Sequence, residues 1–185
     1  MRDPRQSRLG PIDGFATHIG SRAPSLLPPM TRLNFRGRIS TVGRVAAAFG
    51  VEPAMEPCRA AVGGSRAALW LGPDEWLLLA RDGEAATIIK VLEAALSPLP
   101  HSLVDISHRH VGLKLEGGHA ALMLNAGCPL DLDIRAFPVG MCTRTLLAKA
   151  EITLWRTQET AFQIEVARSF APYVARFLEQ AGADL

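Results

Sequence analysis

The sequence predicts an α+β protein built from two pseudo-equivalent halves, and three observations carry that expectation. Residues 69–96 (LWLGPDEWLLLARDGEAATIIKVLEAAL) and 154–181 (LWRTQETAFQIEVARSFAPYVARFLEQA) both present an LW pair, a polar turn, an alternating apolar segment and an amphipathic helical stretch. Upstream of each, residues 33–50 (LNFRGRISTVGRVAAAFG) and 111–127 (VGLKLEGGHAALMLNAG) run from an alternating strand into a short helix closed by glycine. The chain of 185 residues is 48% hydrophobic and 21% charged, which is enough apolar material to bury a sizeable core. Each half therefore reads strand, helix, strand, strand, helix, with the halves at 31–100 and 101–185 behind an arm at 1–30.

In chain order the arm comes first. Arg2, Arg5, Arg8 and Arg22 alternate there with Pro4, Pro11, Pro24, Pro28 and Pro29, a composition that does little to offset the entropy of ordering. A flexible or draped arm is expected, with Leu26 and Leu27 able to dock. In the first half, Trp76, Leu78 and Ala80 face one way across the pleat and Leu77 and Leu79 the other, so this strand is expected to be central. The preceding GPDE (72–75) is ordinary turn chemistry, with proline and aspartate at the turn positions they favour. The helix that follows puts Ala85, Ile88, Ile89, Leu92, Ala95 and Leu96 on one face and Glu84, Lys90 and Glu93 off it.

In the second half, Ser169 is placed to cap a helix, Pro172 sits in its first turn, and Gly182 is placed to stop it. Phe170, Val174, Phe177, Leu178 and Ala181 form its stripe. Burying such side chains contributes roughly 1.5–3 kcal/mol each, enough to hold either helix on a sheet. The duplication predicts that Leu69 matches Leu154, Trp70 Trp155, Trp76 Phe162 and Leu78 Ile164, with one residue inserted in the second turn. Between the halves' regular elements, residues 128–140 (CPLDLDIRAFPVG) contain two prolines that forbid a continued helix or a central strand. A structured loop of this length inside a compact domain usually contacts something.

Chemistry-bearing patterns are sparse. His108 and His110 stand two apart, which suits one face of a strand, but a zinc site needs further ligands that the spacing of Cys58, Cys128 and Cys142 does not supply. Asp105, Ser107 and His108 are triad residue types, yet neighbours on one strand alternate faces, so Asp105 and Ser107 are expected to hydrogen-bond a turn. The pairs Gly63-Gly64 and Gly117-Gly118 lack the lysine of a phosphate loop and the spacing of a dinucleotide fingerprint. A net charge of +2 with dispersed arginines argues against a nucleic-acid groove. No apolar run approaches the roughly 20 residues that span a bilayer, and no signal-peptide core opens the chain. With an odd cysteine count, the cytoplasm is the expected compartment.

The strings LWLGPDEWLLL (69–79), DISHRHVGLKLEG (105–117), NAGCPLDLDIRAFPVG (125–140), TRTLLAKAEITLWR (143–156) and FQIEVARSFAPYVARFL (162–178) resemble the gamma subunit of heterotetrameric sarcosine oxidase. The resemblance extends over nearly everything after residue 30. Its most specific part is GCPLDL, then FP, then RTLLAKAE, whereas GPDEW also occurs in the wider aminomethyltransferase-like group. It implies an aminomethyltransferase-like fold, mainly antiparallel sheets with helices on one face. It also implies a structural subunit without catalytic, cofactor-binding or metal-binding residues of its own. The partners so implied are an alpha subunit with NAD and a folate region, a beta subunit with FAD and covalent FMN, and a delta subunit with zinc. Together they oxidise sarcosine to glycine, passing the methyl carbon to tetrahydrofolate or releasing it as formaldehyde, with peroxide formed from oxygen. The alternative is a stand-alone aminomethyltransferase-like folate-binding protein, for which this chain is expected to be too short.

A partner interface is expected on the 128–140 loop, where Pro129 and Pro138 stiffen the backbone and Arg135 and Phe137 are residue types enriched at interface centres. Phe137 is accordingly expected to be substantially exposed. Arg109, after DISH, is a further candidate, since a guanidinium can grip a carboxylate in bidentate fashion.

Overall fold

In the computed structural model, residues 23–183 and 185 are described. Chain order is β1 (Ser25–Leu26), β2 (Met30–Gly37), α1 (Ile39–Phe49), β3 (Ala60–Gly63), β4 (Arg66–Gly72), β5 (Glu75–Arg81), α2 (Ala85–Leu96), β6 (His101–Asp105), β7 (His110–Glu116), α3 (Ala120–Asn125), β8 (Cys142–Leu147), β9 (Ala150–Gln158), β10 (Ala161–Ala167) and α4 (Ala171–Ala183). The elements divide into one unit of Met30–Ser107 and another that joins the segment before Met30 to His108–Leu185. The fold is thus α+β, with two antiparallel sheets of five strands each.

In the Met30–Ser107 unit the strands lie in the order β3-β4-β5-β2-β6. The central position expected for residues 76–80 holds, because β5 is flanked by β2 and β4. Leu33, Phe35, Ala68, Trp76, Leu78 and Ala80 form a core with Val42, Val45 and Phe49 of α1 and Ile88, Leu92 and Leu96 of α2. α1 thus buries an i, i+3, i+7 stripe and α2 an i, i+4, i+8 stripe against one face of the sheet. Phe35 and Trp76 stack with centroids 5.8 Å apart. α1 ends on Gly50 at φ 80°, a left-handed cap whose N–H bonds Ala46 O.

In the other unit the order is β8-β9-β10-β7-β1. Val111, Leu113, Leu115, Ile152, Leu154, Phe162, Ile164 and Val166 meet Met123 and Leu124 of α3 and Val174 and Leu178 of α4 in a core of the same design. Leu26 packs against that core and Leu27 N–H bonds Gly112 O, so the chain just before Met30 is tied to β7. Residues 1–22, on which most of the expected arm falls, lie outside the described residues.

Several expectations need correction. Residues 101–105 pair with β2, so the division falls after Ser107 and not after residue 100. Each unit has one strand more than the sequence pattern gave before its hairpin, β3 and β8, both short or polar enough to hide from periodicity. α4 begins at Ala171 and runs through Gly182 to Ala183, and Phe170 lies exposed ahead of it.

The repeated LW pairs are out of register by one residue. Ala68 pairs with Leu78 and Trp70 with Trp76, whereas Leu154 pairs with Ile164 and Arg156 with Phe162. If Leu78 is matched to Ile164 and Trp76 to Phe162, the cross-strand partners make Leu154 correspond to Ala68 and Arg156 to Trp70, so the LW pairs do not match at the same time. A one-residue slip in a strand turns every side chain to the other face. Leu154 faces the helices, and Leu69, equally buried, is not part of the helix-facing core.

Candidate functional site

The loops after α1 and α3 are each held by a side chain from the hairpin that follows, Trp76 of β5 in one unit and Arg156 of β9 in the other. In the first unit Trp76 Nε1 donates to Ala54 O at 2.9 Å and ties down the segment after α1. In the second unit an arginine on the core face does this work for the 128–140 loop. Arg156 Nη1 donates to Phe137 O at 2.5 Å and Nη2 to Leu132 O at 3.1 Å. Its guanidinium carbon lies 4.6 Å from the centroid of the Phe162 ring. Arg156 is 3% exposed, and burial lowers its pKa from the usual guanidinium value, against the opposing pull of Asp133 and Glu159. The backbone follows the same strand: Gly140 N–H bonds Arg156 O, and Arg156 N–H bonds Met141 O.

The loop is also stitched from within. Asp131 Oδ1 accepts Asp133 N–H and Asp133 Oδ1 accepts Arg135 N–H, both at 2.9 Å, two successive aspartate turns. Arg135 Nε donates to the same Asp133 oxygen at 2.8 Å. That bond from Arg135, its backbone N–H and its charge hold the Asp133 carboxyl below the ordinary aspartate range and raise the guanidinium in turn. Asn125 Nδ2 donates to Leu130 O at 2.6 Å, fixing the loop's entry to the end of α3. At Gly127, an added Cβ would lie 2.6 Å from Phe177 Cζ and 3.0 Å from Ala148 N, so only glycine lets α4 approach there.

The expected exposed anchor is therefore a core residue. Phe137 is 1% exposed and lies tilted against Phe162 with centroids 6.4 Å apart. The loop turns its largest apolar side chain inward because the Phe162 ring and the aliphatic core around it remove that ring from water. Pro138 is half-buried beside it, and Arg135 stands with an 89% exposed side chain. Arg109 is exposed too, and its carbonyl accepts Arg168 N–H. The outward apolar residues are Ile134 and Val139, 43% and 47% exposed, which the sequence reading did not single out. A signal for Arg156 was present: Ala150, Ile152, Leu154 and Arg156 alternate on one face, so the pleat itself puts an arginine among core positions.

Ser107 and Asp105 are committed to the fold. Ser107 Oγ donates to Asp105 Oδ1 at 2.5 Å and accepts Arg32 N–H at 2.9 Å, the turn bonding expected of this pair. His108 contributes its carbonyl to Arg168 Nε. Among the described residues, no group of three or more His, Cys, Asp and Glu could hold a metal ion, and Cys58, Cys128 and Cys142 are not joined in disulfides. No helix among the described residues is long and apolar enough to cross a membrane. The exposed side chains of the loop include Ile134, Arg135 and Val139.

The profile of the sarcosine oxidase, gamma subunit family matches residues 40–184. The sarcosine oxidase subunit gamma of Corynebacterium sp. (strain U-96) is 36% identical over 196 aligned positions, covering 100% of this chain and 94% of the relative. That of Corynebacterium sp. (strain P-1) is 39% identical over 118 positions, 64% of this chain and 57% of the relative. Among solved structures, a chain of the heterotetrameric sarcosine oxidase from Corynebacterium sp. U-96, in complex with pyrrole 2-carboxylate, superposes with a TM-score of 0.84 at 32% identity, covering 99% of this chain and 95% of its own. The glycine cleavage system aminomethyltransferase T from Bartonella henselae superposes at 0.62 with 15% identity over 91% of this chain and 49% of its own, a likeness of fold.

Proposed function

The chain belongs to the sarcosine oxidase gamma subunit family, and from that premise we propose that it is the structural gamma subunit of a heterotetrameric sarcosine oxidase. Its work in this reading is assembly. Sarcosine is oxidised to glycine on the partner subunits, with formaldehyde or 5,10-methylenetetrahydrofolate and hydrogen peroxide as the other products. FAD, FMN, NAD, zinc and tetrahydrofolate belong to the alpha, beta and delta subunits, and alpha is the one in direct contact. The observation that carries the reading is the end-to-end correspondence with a chain of a solved heterotetrameric sarcosine oxidase, 99% of this chain on 95% of that one. The commitment of Ser107, Asp105, Arg156 and Asp133 to loop and turn bonds supports a scaffold in preference to a catalyst.

Co-expression tests this directly. A tag on this chain should retain the alpha, beta and delta subunits together with flavin absorbance and sarcosine oxidation, and the chain alone should show neither. Retention of none of the three subunits, or tetrahydrofolate binding by the isolated chain at micromolar concentration, overturns it; the latter outcome would favour the stand-alone folate-binding alternative.

A further inference from the structure

Beyond the last rung of the β7–β10 ladder, where Ala167 pairs with His110, the two strands stay joined by Arg168 N–H to Arg109 O at 2.8 Å, so Arg109 and Arg168 stand as cross-strand neighbours. Arg168 is fixed further by its Nε, which donates to His108 O at 3.0 Å. The carboxylates of the adjoining strands are engaged elsewhere: Glu116 with Lys114, Glu151 with Arg144 and Glu165 with Gln163. Among the described residues neither Arg109 nor Arg168 has a carboxylate partner. The turn that carries Arg168 is closed by Phe170 N–H to Ala167 O, and Phe170 in it is 46% exposed. We propose that Arg109, Arg168 and Phe170 form the docking surface for an acidic segment of a non-identical subunit, one that brings a pair of carboxylates to the pair of guanidinium groups. This inference rests on the subunit reading above.

Like charges directly opposite each other across a ladder are destabilising. The free chain keeps two arginines in that relation with no acid to offset them, and a partner's carboxylates remove the repulsion. Cross-strand neighbours lie about 4.5–5.5 Å apart at Cβ, close to the roughly 5–6 Å between residues three or four apart on a helix, so two acids on one face of a partner helix match the spacing of the arginines. Each planar fork then takes a carboxylate in bidentate fashion. Phe170 gains only against apolar atoms, and arginine beside an exposed aromatic ring is the composition of a protein interface. A net charge of +2 over the whole chain disfavours a nucleic acid as the occupant.

The test is retention of this chain by a tagged partner subunit after co-expression of the complete complex, read across dilution and salt as an apparent dissociation constant. Arg109→Ala should weaken retention roughly thirtyfold, a hot-spot-sized loss, and flatten its salt dependence. Arg109→Lys keeps the charge without the fork and should recover part of that loss. Arg109→Glu gives the distinguishing result. It sets an acid opposite Arg168, so the melting temperature of the free chain should hold level or rise while retention falls further than in Arg109→Ala. A residue that only supports the fold would lose both together. Arg38→Glu, on an exposed arginine ahead of α1, is the charge control and should be retained like wild type.

Wild-type retention in Arg109→Glu overturns the inference while leaving the subunit reading intact. An equal loss in Arg38→Glu marks a general charge effect and also overturns it, as does a melting temperature in Arg109→Glu that falls in step with retention. Binding of the free chain to phosphatidylserine vesicles that Arg109→Glu abolishes, with retention unaffected, would assign the arginine pair to an anionic surface instead. Failure of the wild-type chain to be retained removes the subunit reading, and this inference with it.

Discussion

Replacing Arg156 with alanine should unlock the 128–140 loop. The carbonyls of Phe137 and Leu132 each lose a donor at a buried site, costing about 1–3 kcal/mol apiece. The contact over the Phe162 ring adds about 0.5–2 kcal/mol. Part of this is offset, because the guanidinium is itself buried away from water and Nε has no hydrogen-bond partner. A net loss of about 3–5 kcal/mol remains, comparable to breaking a buried charged pair. Lysine at this position reaches one carbonyl without the planar fork and should recover roughly half of that loss. Urea unfolding of the free chain measures the loss, and amide exchange locates it. The Ala136, Phe137 and Gly140 amides should exchange faster while those of β4 and β5 keep their protection. A loss below about 1 kcal/mol, or unchanged exchange in the loop, would refute the idea that Arg156 is what holds it.

Phe137→Ala should cost about 3–5 kcal/mol in the free chain, as for a fully buried aromatic ring; a near-neutral effect would contradict its place against Phe162. Gly127→Ala should cost about 1–3 kcal/mol by driving a methyl group against Phe177 and the Ala148 backbone, and a Phe177→Ala second change should relieve part of it. For Asp133, the folded pKa is depressed, so the stability it contributes is present above the unfolded value of about 3.9 and is lost as pH falls through the folded one. Asp133 lies at the surface, and the effect should shrink in high salt. A carboxyl titration followed by NMR should find Asp133 below the ordinary aspartate value, returning towards it in Arg135→Ala; no change in that variant would remove Arg135 as the cause.

The parts of the fold legible in sequence were those written in strong periodicity. The stripe on α2, the doubly apolar strand at 76–80 and the glycine ending α1 all follow from local pattern. The register of the second hairpin did not, because the shared letters LW sit one residue apart in the pleat, and only the cross-strand pairing of Leu154 with Ile164 reveals it. β3 and β8 escaped for another reason. They are edge strands, AAVG and CTRTLL, whose burial alternates too weakly to mark a face. The loop at 128–140 was legible as structured, through its prolines, but its inside and outside were not. Phe137 looks like an interface anchor by residue type, and its burial depends on Phe162 and Arg156, both more than a dozen residues away along the chain. Arg135 kept its expected exposure because its own neighbour, Asp133, satisfies it locally.

Native mass spectrometry of the enzyme purified through a tag on another subunit tests the central claim most directly. The expected result is a complex containing this chain with three different subunits, from which gentle dissociation releases this chain at its apoprotein mass of 19.9 kDa while flavin stays with the remainder. A complex that forms and oxidises sarcosine without this chain, or a released chain carrying flavin mass, would contradict a structural subunit.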